Sequence, residues 1–272
     1  MGKTIILLTS LLSGCFLATR AQGDTLADMR RFIRVCNVYK HLPVTLDVQV
    51  ERKANLITAA SDSSRNSAVF CLHSDGSYVE MDGMEQLVND SLLLLVNKPA
   101  KRMILYANHQ SVAGRFRDYM GLQMADSSVL RMDRNYQASM QGSFGDTAVL
   151  EVRHRTALPE TGLPREEVQV RFNPGTDEPY EVVQLHRSLV PVTRERYQQE
   201  GALPGWAGKT VAVGDSLFFL VKEQTVFFRY RRISHDATGR LPFTVSDRIA
   251  AEMPGKYRPV RTFADYVLTQ QF

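Results

Sequence analysis

Several features that would point to a particular chemistry are missing from this 272-residue chain. It has three cysteines and one tryptophan, and it contains no Cys-x-x-Cys or His-x-x-x-His pair that would indicate a metal site. No glycine-rich phosphate loop is present, and the densest basic run, Arg229–Arg232, is too short to indicate a polyanion partner. The sequence therefore predicts no metal, no cofactor and no nucleic-acid partner.

Residues 1–21 have the layout of a secretory signal peptide. Lys3 precedes an apolar run, and the small residues Thr19 and Ala21 stand just before Gln22. The run is shorter than the roughly 20 residues that a membrane helix needs. Its removal would lower the formal net charge from +4 to +2, because Lys3 and Arg20 leave with no acidic residue. We expect a periplasmic or secreted protein that begins at Gln22.

A second interpretation of the N-terminus concerns Cys15. The Leu-Ser-Gly-Cys stretch that ends at Cys15 is similar to a bacterial lipobox, in which this cysteine would be acylated and would anchor a lipoprotein. Phe16 and Leu17 continue the apolar run where lipoproteins usually turn polar, which favours cleavage before Gln22. In either case the product is expected in an envelope or extracellular compartment.

The two remaining cysteines, Cys36 and Cys71, are a disulfide candidate, because an even pair suits an oxidising compartment. Each also stands among apolar residues, so both are equally well interpreted as small buried hydrophobic residues. Spacing alone does not decide between a bond and two free thiols, since a disulfide requires a particular Cα separation.

The mature chain is predicted to be mainly β. Apolar residues at three- and four-residue spacing after Asp24 predict a leading helix. Alternating segments then predict about ten or eleven strands, including 217–222 and 225–233, with turns such as Asp82-Gly83 between them. A helical insertion is expected at 108–143, and Ser246 and Asp247 are expected to cap a short helix at 248–253. No linker interrupts the pattern, which favours a single domain over 22–272.

A leading helix followed by a long series of hairpins resembles the LolA/LolB-type lipoprotein carriers. The stretch that carries the resemblance is Val79–Val96, where the polar turns Asp82-Gly83 and Asn89-Asp90 alternate with apolar strands. The resemblance implies an incomplete antiparallel β-barrel whose apolar concavity is covered by helices, and a lipid or acyl chain as the expected partner. No residue that contacts a lipoprotein in that family can be matched to a position in this sequence. The resemblance therefore supports the fold more than the activity.

The clearest candidates for an apolar concavity come from strand alternation. Val44, Leu46, Val48 and Val50 alternate with polar residues, so the four share one face of a strand. Further candidates lie in strands that are apolar on both faces; they are Leu93, Leu95, Phe218 and Leu220. The alternative is that all eight are ordinary core under the leading helix, which is the more common fate of any one such residue. The alternative function is a non-enzymatic envelope interaction or assembly module that holds no ligand.

Two other sequence patterns fit an esterase and an outer-membrane barrel. Gly214-Asp215-Ser216-Leu217 spells the nucleophile motif of one esterase family, but it lies late in the chain between two apolar strands. Such a setting favours a hairpin turn, so no catalytic residue is predicted. The alternating strands and a terminal Phe272 also fit an outer-membrane barrel, although most strands are shorter than the 9–11 residues that a crossing needs.

Overall fold

Three α-helices lie in the part of the chain that the structure describes. This structure is a computed structural model and describes residues 25–37, 41–108, 129–236 and 240–272. The helices are α1 (Thr25–Cys36), α2 (Val129–Asn135) and α3 (Arg194–Gly201). Helix α1 confirms the expected leading helix. Helix α3 begins after Thr193, whose hydroxyl accepts a hydrogen bond from the Arg196 amide at 3.3 Å, as an N-cap residue does. The predicted signal peptide and Cys15 lie outside the described residues.

Strands make up most of the remaining described chain. In sequence order they are β1 (Val44–Ala54), β2 (Ser64–Leu72), β3 (Gly76–Met81), β4 (Met84–Asn89), β5 (Leu92–Asn97), β6 (Arg102–Ala107), β7 (Tyr136–Phe144), β8 (Thr147–His154), β9 (Glu166–Phe172), β10 (Pro179–Val192), β11 (Thr210–Val213), β12 (Leu217–Ser234), β13 (Ile249–Met253), β14 (Lys256–Pro259) and β15 (Val267–Gln271). The Asp82-Gly83 turn between β3 and β4 is confirmed. Its two residues have φ of 52° and 74°, the positive values that a type I′ hairpin requires.

One 13-stranded sheet organises the described chain. Its order is β15-β6-β5-β4-β3-β2-β1-β12-β10-β9-β8-β7, with β11 paired to β12 beside this path. Neighbouring strands are antiparallel except β15, which lies parallel to β6. Within the described residues the end strands β15 and β7 do not pair with each other, so the sheet stays open. The predicted fold class, a mainly β incomplete barrel, is confirmed, with more strands than expected.

The middle of the sheet is formed by β1 and β12. Strand β12 spans 18 residues and pairs with β1 on one side and β10 on the other. The sequence predicted two strands here, separated at Glu223 and Gln224. Both residues instead continue the ladder, opposite Arg187 and His186 of β10. Their polar side chains interrupt the apolar pattern without interrupting the backbone hydrogen bonds.

The sheet buries apolar residues on both of its faces. We call the inner face the side that carries Val44, Leu46 and Val48, which pack in one cluster with α1. The outer face is the opposite side, where Leu87 and Leu94 pack against the C-terminal segment 241–268. Strands β3 to β6 are apolar in both registers: their outer face meets the C-terminal segment, and Val79 of β3 joins the cluster on the inner face.

Two helix predictions need correction. The insertion expected at 108–143 is helical only over 129–135 within the described residues, and 136–143 belong to strand β7. The helix expected at 248–253 is instead strand β13, which pairs with β14. Ser246 and Asp247 lie in a 3₁₀ turn just before it. In both places pairing with a neighbouring strand outweighs local helix propensity. Residues 109–128 of the expected insertion lie outside the described chain.

Candidate functional site

All eight candidate ligand-binding residues lie on the inner face. Residues that pair across strands share a face, and side chains two apart along one strand do too. Val50 pairs with Phe228 of β12, so the two share a face. Leu220 and Phe218 lie an even number of residues from Phe228 in the same strand and therefore share that face too. In the other direction the register passes through Phe70 and Val79 to Leu95 in β5. The candidates are Val44, Leu46, Val48, Val50, Leu93, Leu95, Phe218 and Leu220.

The first three of these residues form part of the protein core. Val44, Leu46 and Val48 are each at most 1% exposed. They share a cluster with Met29 and Phe32 of α1, both of which are completely buried. A substitution at these three positions would therefore disturb folding before it could report on any ligand.

A less covered group of apolar residues lies next to this core. We call Val50, Val168, Val226 and Phe228 the inner strip. Val50 pairs with Phe228, and Gln184 links Val226 to Val168 across β10. All four strip residues are half-buried, in contrast to the fully buried residues under α1. The strip is thus an apolar surface that the described protein only partly shields from water.

The other candidates are distributed over the two ends of the inner face. Leu93 is buried, whereas Leu95 is half-buried next to its partner Ile104 in β6. At the far end of β12, Leu220 is fully buried in a small cluster with Trp206. Phe218 of the same strand contacts the ring of Tyr197 in α3, with the centroids 5.1 Å apart. The structure therefore places the eight residues on one face but does not gather them into one site.

Polar side chains border the inner strip on the side away from α1. Arg52 and Gln224 lie on the inner face there, within β1 and β12, and Gln184 of β10 lies on the same face between Val226 and Val168. Sequence reasoning missed Arg52, although it is the next member of the period-two series that runs through Val44, Leu46, Val48 and Val50. The signal was present, but a charged residue was not expected to continue an apolar face.

Tyr136 and Glu166 mark the same polar border on β7 and β9. The Tyr136 hydroxyl donates a hydrogen bond of 2.6 Å to Glu166, and His186 lies 3.6 Å from the other carboxylate oxygen. Burial and then the neighbouring carboxylate raise the pKa of Tyr136 to about 12. The phenol is therefore neutral at physiological pH and acts here as a hydrogen-bond donor, not as a base.

The outer face contains a buried ionic cluster around Glu85. Arg248 donates two hydrogen bonds to this carboxylate, and Lys98 lies 2.9 Å from it. Burial alone would raise the pKa of Glu85, but hydrogen bonds from Arg248 and Lys98 hold it below its ordinary value. Burial and the carboxylates of Glu80 and Glu85 raise the pKa of Tyr78, whose hydroxyl bridges the two. The cluster ties the C-terminal segment to β3 and β4.

The two cysteines are not joined. Cys36 and Cys71 are both free and buried, and they belong to different clusters, one with α1 and one on the outer face. The sheet separates them, so the disulfide candidate does not form in this structure. Burial raises the pKa of the Cys36 thiol to about 12 and also raises that of Cys71, which leaves both thiols protonated and unreactive.

The esterase-like motif forms a turn in the structure. Gly214, Asp215 and Ser216 form the exposed turn between β11 and β12, as expected from composition, and Gly214 has φ of 62°. Among the described residues no three histidine, cysteine or acidic side chains come together in a way that could hold a metal ion. The helices in that same part of the chain include none long and apolar enough to cross a membrane.

Comparison with known proteins gives matches to solved structures only. No family model matches the chain, and no curated protein matches it. It is similar to an outer-membrane lipoprotein-sorting protein domain from Vibrio parahaemolyticus, with 10% identity, a TM-score of 0.25, and coverage of 76% of this chain and 93% of that one. It is also similar to a LolA superfamily protein from Nitrosomonas europaea, with 11% identity, a TM-score of 0.28, and coverage of 80% and 94%. At these TM-scores the likeness carries no argument about function.

Proposed function

We propose that this protein binds a hydrophobic ligand, a lipid or an acyl chain, on the inner strip, and that it acts as a non-enzymatic carrier in the cell envelope. The observation that supports this most directly is the half-buried state of Val50, Val168, Val226 and Phe228 beside a fully buried core. Mostly apolar side chains with a few polar groups among and beside them have the composition of a ligand site.

The driving force for such binding is removal of apolar surface from water. Burial of this kind is worth about 25 cal/mol per Å². Side chains that are already completely buried, such as Leu46, have no surface left to contribute. The half-buried residues do: Val50, Val226 and Phe228 lie next to one another on β1 and β12, and Val168 of β9 lies beyond Gln184 of β10. The ligand is therefore assigned to the strip and not to the whole inner face.

The envelope location is supported by the sequence of residues 1–21. Their positive start, apolar run and small residues before Gln22 are typical of an exported chain. Export with cleavage before Gln22 is tested by measuring the intact mass of the protein purified from its own cells. Loss of residues 1–21 is the expected result. A diacyl or triacyl group on Cys15 would instead make the protein a membrane-anchored lipoprotein.

Ligand binding is tested with a charged substitution in the strip. Val168→Asp places a carboxylate on the half-buried surface, where an unpaired charge is strongly unfavourable for an acyl chain. Leu217→Asp is the matched control, because Leu217 is 54% exposed at the far end of β12. Delipidated wild type and both variants are titrated with a fluorescent fatty acid, cis-parinaric acid. Binding should be lost in Val168→Asp and retained in Leu217→Asp.

Circular dichroism of the same samples shows whether Val168→Asp is folded. A folded Val168→Asp variant that binds the probe as tightly as wild type would remove the strip from the proposal. Absence of binding by delipidated wild type would contradict the carrier function itself. Native mass spectrometry of protein taken directly from the envelope provides a second readout, in which a co-purifying lipid is expected.

The second candidate function is an envelope interaction module that needs no ligand. The observation that favours it is Phe144, which is 92% exposed at the tip of the β7–β8 hairpin on one edge of the sheet. An exposed aromatic ring on an edge strand is suited to contact with another protein. Phe144→Ser separates the two functions. It should leave fatty-acid binding unchanged, whereas an interaction module would lose crosslinking to its envelope partner.

A further inference from the structure

Arg52 lies at the end of the inner strip. It follows Val50 by two residues in β1, so its side chain shares the inner face with the strip. Its cross-strand partners are Val226 of β12, which belongs to the strip, and Ser64 of β2. The guanidinium therefore stands where the apolar surface meets its polar border.

The hydrogen-bonding capacity of Arg52 is largely unused. Its Nη1 donates a single long hydrogen bond of 3.4 Å to the Ser61 carbonyl. Its Nε is buried and has no hydrogen-bond partner in the structure. A guanidinium has five N–H donors, and a buried donor without an acceptor costs free energy. This side chain is thus set up to bind an acceptor that the protein itself does not supply.

The acidic groups near Arg52 are already engaged elsewhere. Asp62 accepts hydrogen bonds from the amides of Thr58 and Ala59, at 2.7 and 2.8 Å, and pairs with Lys222 at 2.7 Å. Glu51 precedes Arg52 in the chain but projects to the outer face, where it pairs with Lys53 and Arg229. Those two ion pairs measure 2.8 and 2.6 Å. The charge of Arg52 is therefore not neutralised by either acid.

Arg52 as a whole is half-buried, whereas Arg187 and Arg248 are buried and show the opposite arrangement. Arg187 pairs with Glu167 and Glu223, and Arg248 pairs with Glu85. In those cases a carboxylate of the protein compensates the charge, as expected for a guanidinium removed from water. Arg52 differs because the apolar strip lies on one side of it and, on the other, the carboxylate of Asp62 is already paired with Lys222.

We propose that Arg52 binds the anionic head group of the ligand whose chain lies on the inner strip. The ligand class is then an anionic amphiphile, with a carboxylate or phosphate head next to Arg52 and an apolar tail across Val226 and Phe228. This inference rests on the proposed function, because the tail occupies the strip assigned there. Carboxylates and phosphates suit a guanidinium, which donates two parallel hydrogen bonds to either.

The test compares two probes that share one acyl chain, of which only the first carries a negative charge. Delipidated protein is titrated with cis-parinaric acid and with its methyl ester, which has the same chain without the negative charge. Wild type should bind the acid at least about tenfold more tightly than the ester, as expected for a hydrogen bond to a charged group. Arg52→Gln should remove this preference and leave ester binding unchanged, and Arg52→Lys should keep part of it. Arg65→Gln is the matched control, since Arg65 is exposed on the outer face of β2.

The outcomes distinguish this inference from the function on which it rests. An acid-to-ester ratio that stays the same in folded Arg52→Gln would overturn the head-group assignment, while lipid binding would stand. Failure of wild type to bind either probe would overturn both. Inorganic phosphate and acetate are added alone as competitors. Displacement only at concentrations far above that of the acid is expected, because the tail contributes to binding; displacement at equal concentration would show that Arg52 binds free anions and not the head of an amphiphile.

Discussion

Arg248 and Glu85 form a two-point ion pair in which Nε lies 2.9 Å from one carboxylate oxygen and Nη2 lies 3.1 Å from the other. Both residues are buried, and 163 positions separate them in the chain. The guanidinium also lies over the rings of Phe243 and Phe263, at 4.0 and 4.9 Å from their centroids. The C-terminal segment is therefore held on the outer face by a buried charged contact within an apolar cluster.

Removing one partner of this pair should destabilise the protein strongly. Arg248→Met leaves Glu85 buried with less compensation, and breaking a buried pair in this way typically costs about 3–5 kcal/mol. The free energy of unfolding is measured by denaturant titration. The matched control is Asp265→Asn, which removes the exposed pair with Lys101 at 2.6 Å and should lower the free energy of unfolding far less than Arg248→Met. Equal effects of the two substitutions would show that the buried pair has no special role.

The same pair should make stability depend on acid pH. The pKa of Glu85 is lowered on folding, so its contribution is fully present above the ordinary value of 4.5 and is lost as the pH falls through the folded value. Unfolding free energies of wild type and Glu85→Gln are compared between about pH 6 and pH 2. The variant should be less stable at neutral pH and should lose less stability on acidification. Parallel pH curves would contradict the assignment.

Helix α1 should contribute much of the stability of the inner face. Phe32 is completely buried among the residues of β1, β2 and β8 that form this core. Phe32→Ala should cost about 3–5 kcal/mol, because it removes a large buried ring and leaves a cavity. Phe144→Ala deletes an equal ring that is 92% exposed and should change stability by less than about 0.5 kcal/mol. Similar losses for both would show that α1 does not pack as described.

The two buried thiols should be unreactive in the folded protein. Their raised pKa values and burial leave little thiolate for reaction with iodoacetamide. Mass spectrometry should find Cys36 and Cys71 unlabelled under native conditions and both labelled after denaturation without a reductant. A requirement for reductant would mean that the two are joined by a disulfide after all, and that the sheet must rearrange to bring them together.

Local features of this fold could be predicted from the sequence, and distant ones could not. The alternation through Val44–Val50 and the turn at Asp82-Gly83 depend on neighbouring residues, and the structure confirms both. Helix was predicted in error at β7 and β13, because partners elsewhere in the chain decide those segments. The ion pair between Glu85 and Arg248 could not be predicted from the residues around either one, since it depends on how the whole chain is arranged.

The candidate site shows the same limit. Periodicity placed Val44, Leu46 and Val48 correctly on one face, but it could not show that α1 covers them while Val50 stays half-buried. Coverage depends on where the helix lies relative to the sheet, and spacing along one strand contains no such information. The position of Arg52 on this face could be predicted from the same period-two series. It was missed because an apolar face was expected to end where the apolar residues end.

The position of β12 between β1 and β10 has a consequence for how the chain reaches its final form. Strand β1 ends at Ala54, and its partner begins at Leu217, so the two halves of the sheet cannot join until most of the polypeptide is present. Until then β1 presents an unpaired row of amides and carbonyls, and closing so long a loop is slow. An emerging N-terminal half is therefore open to pairing with other chains at this edge.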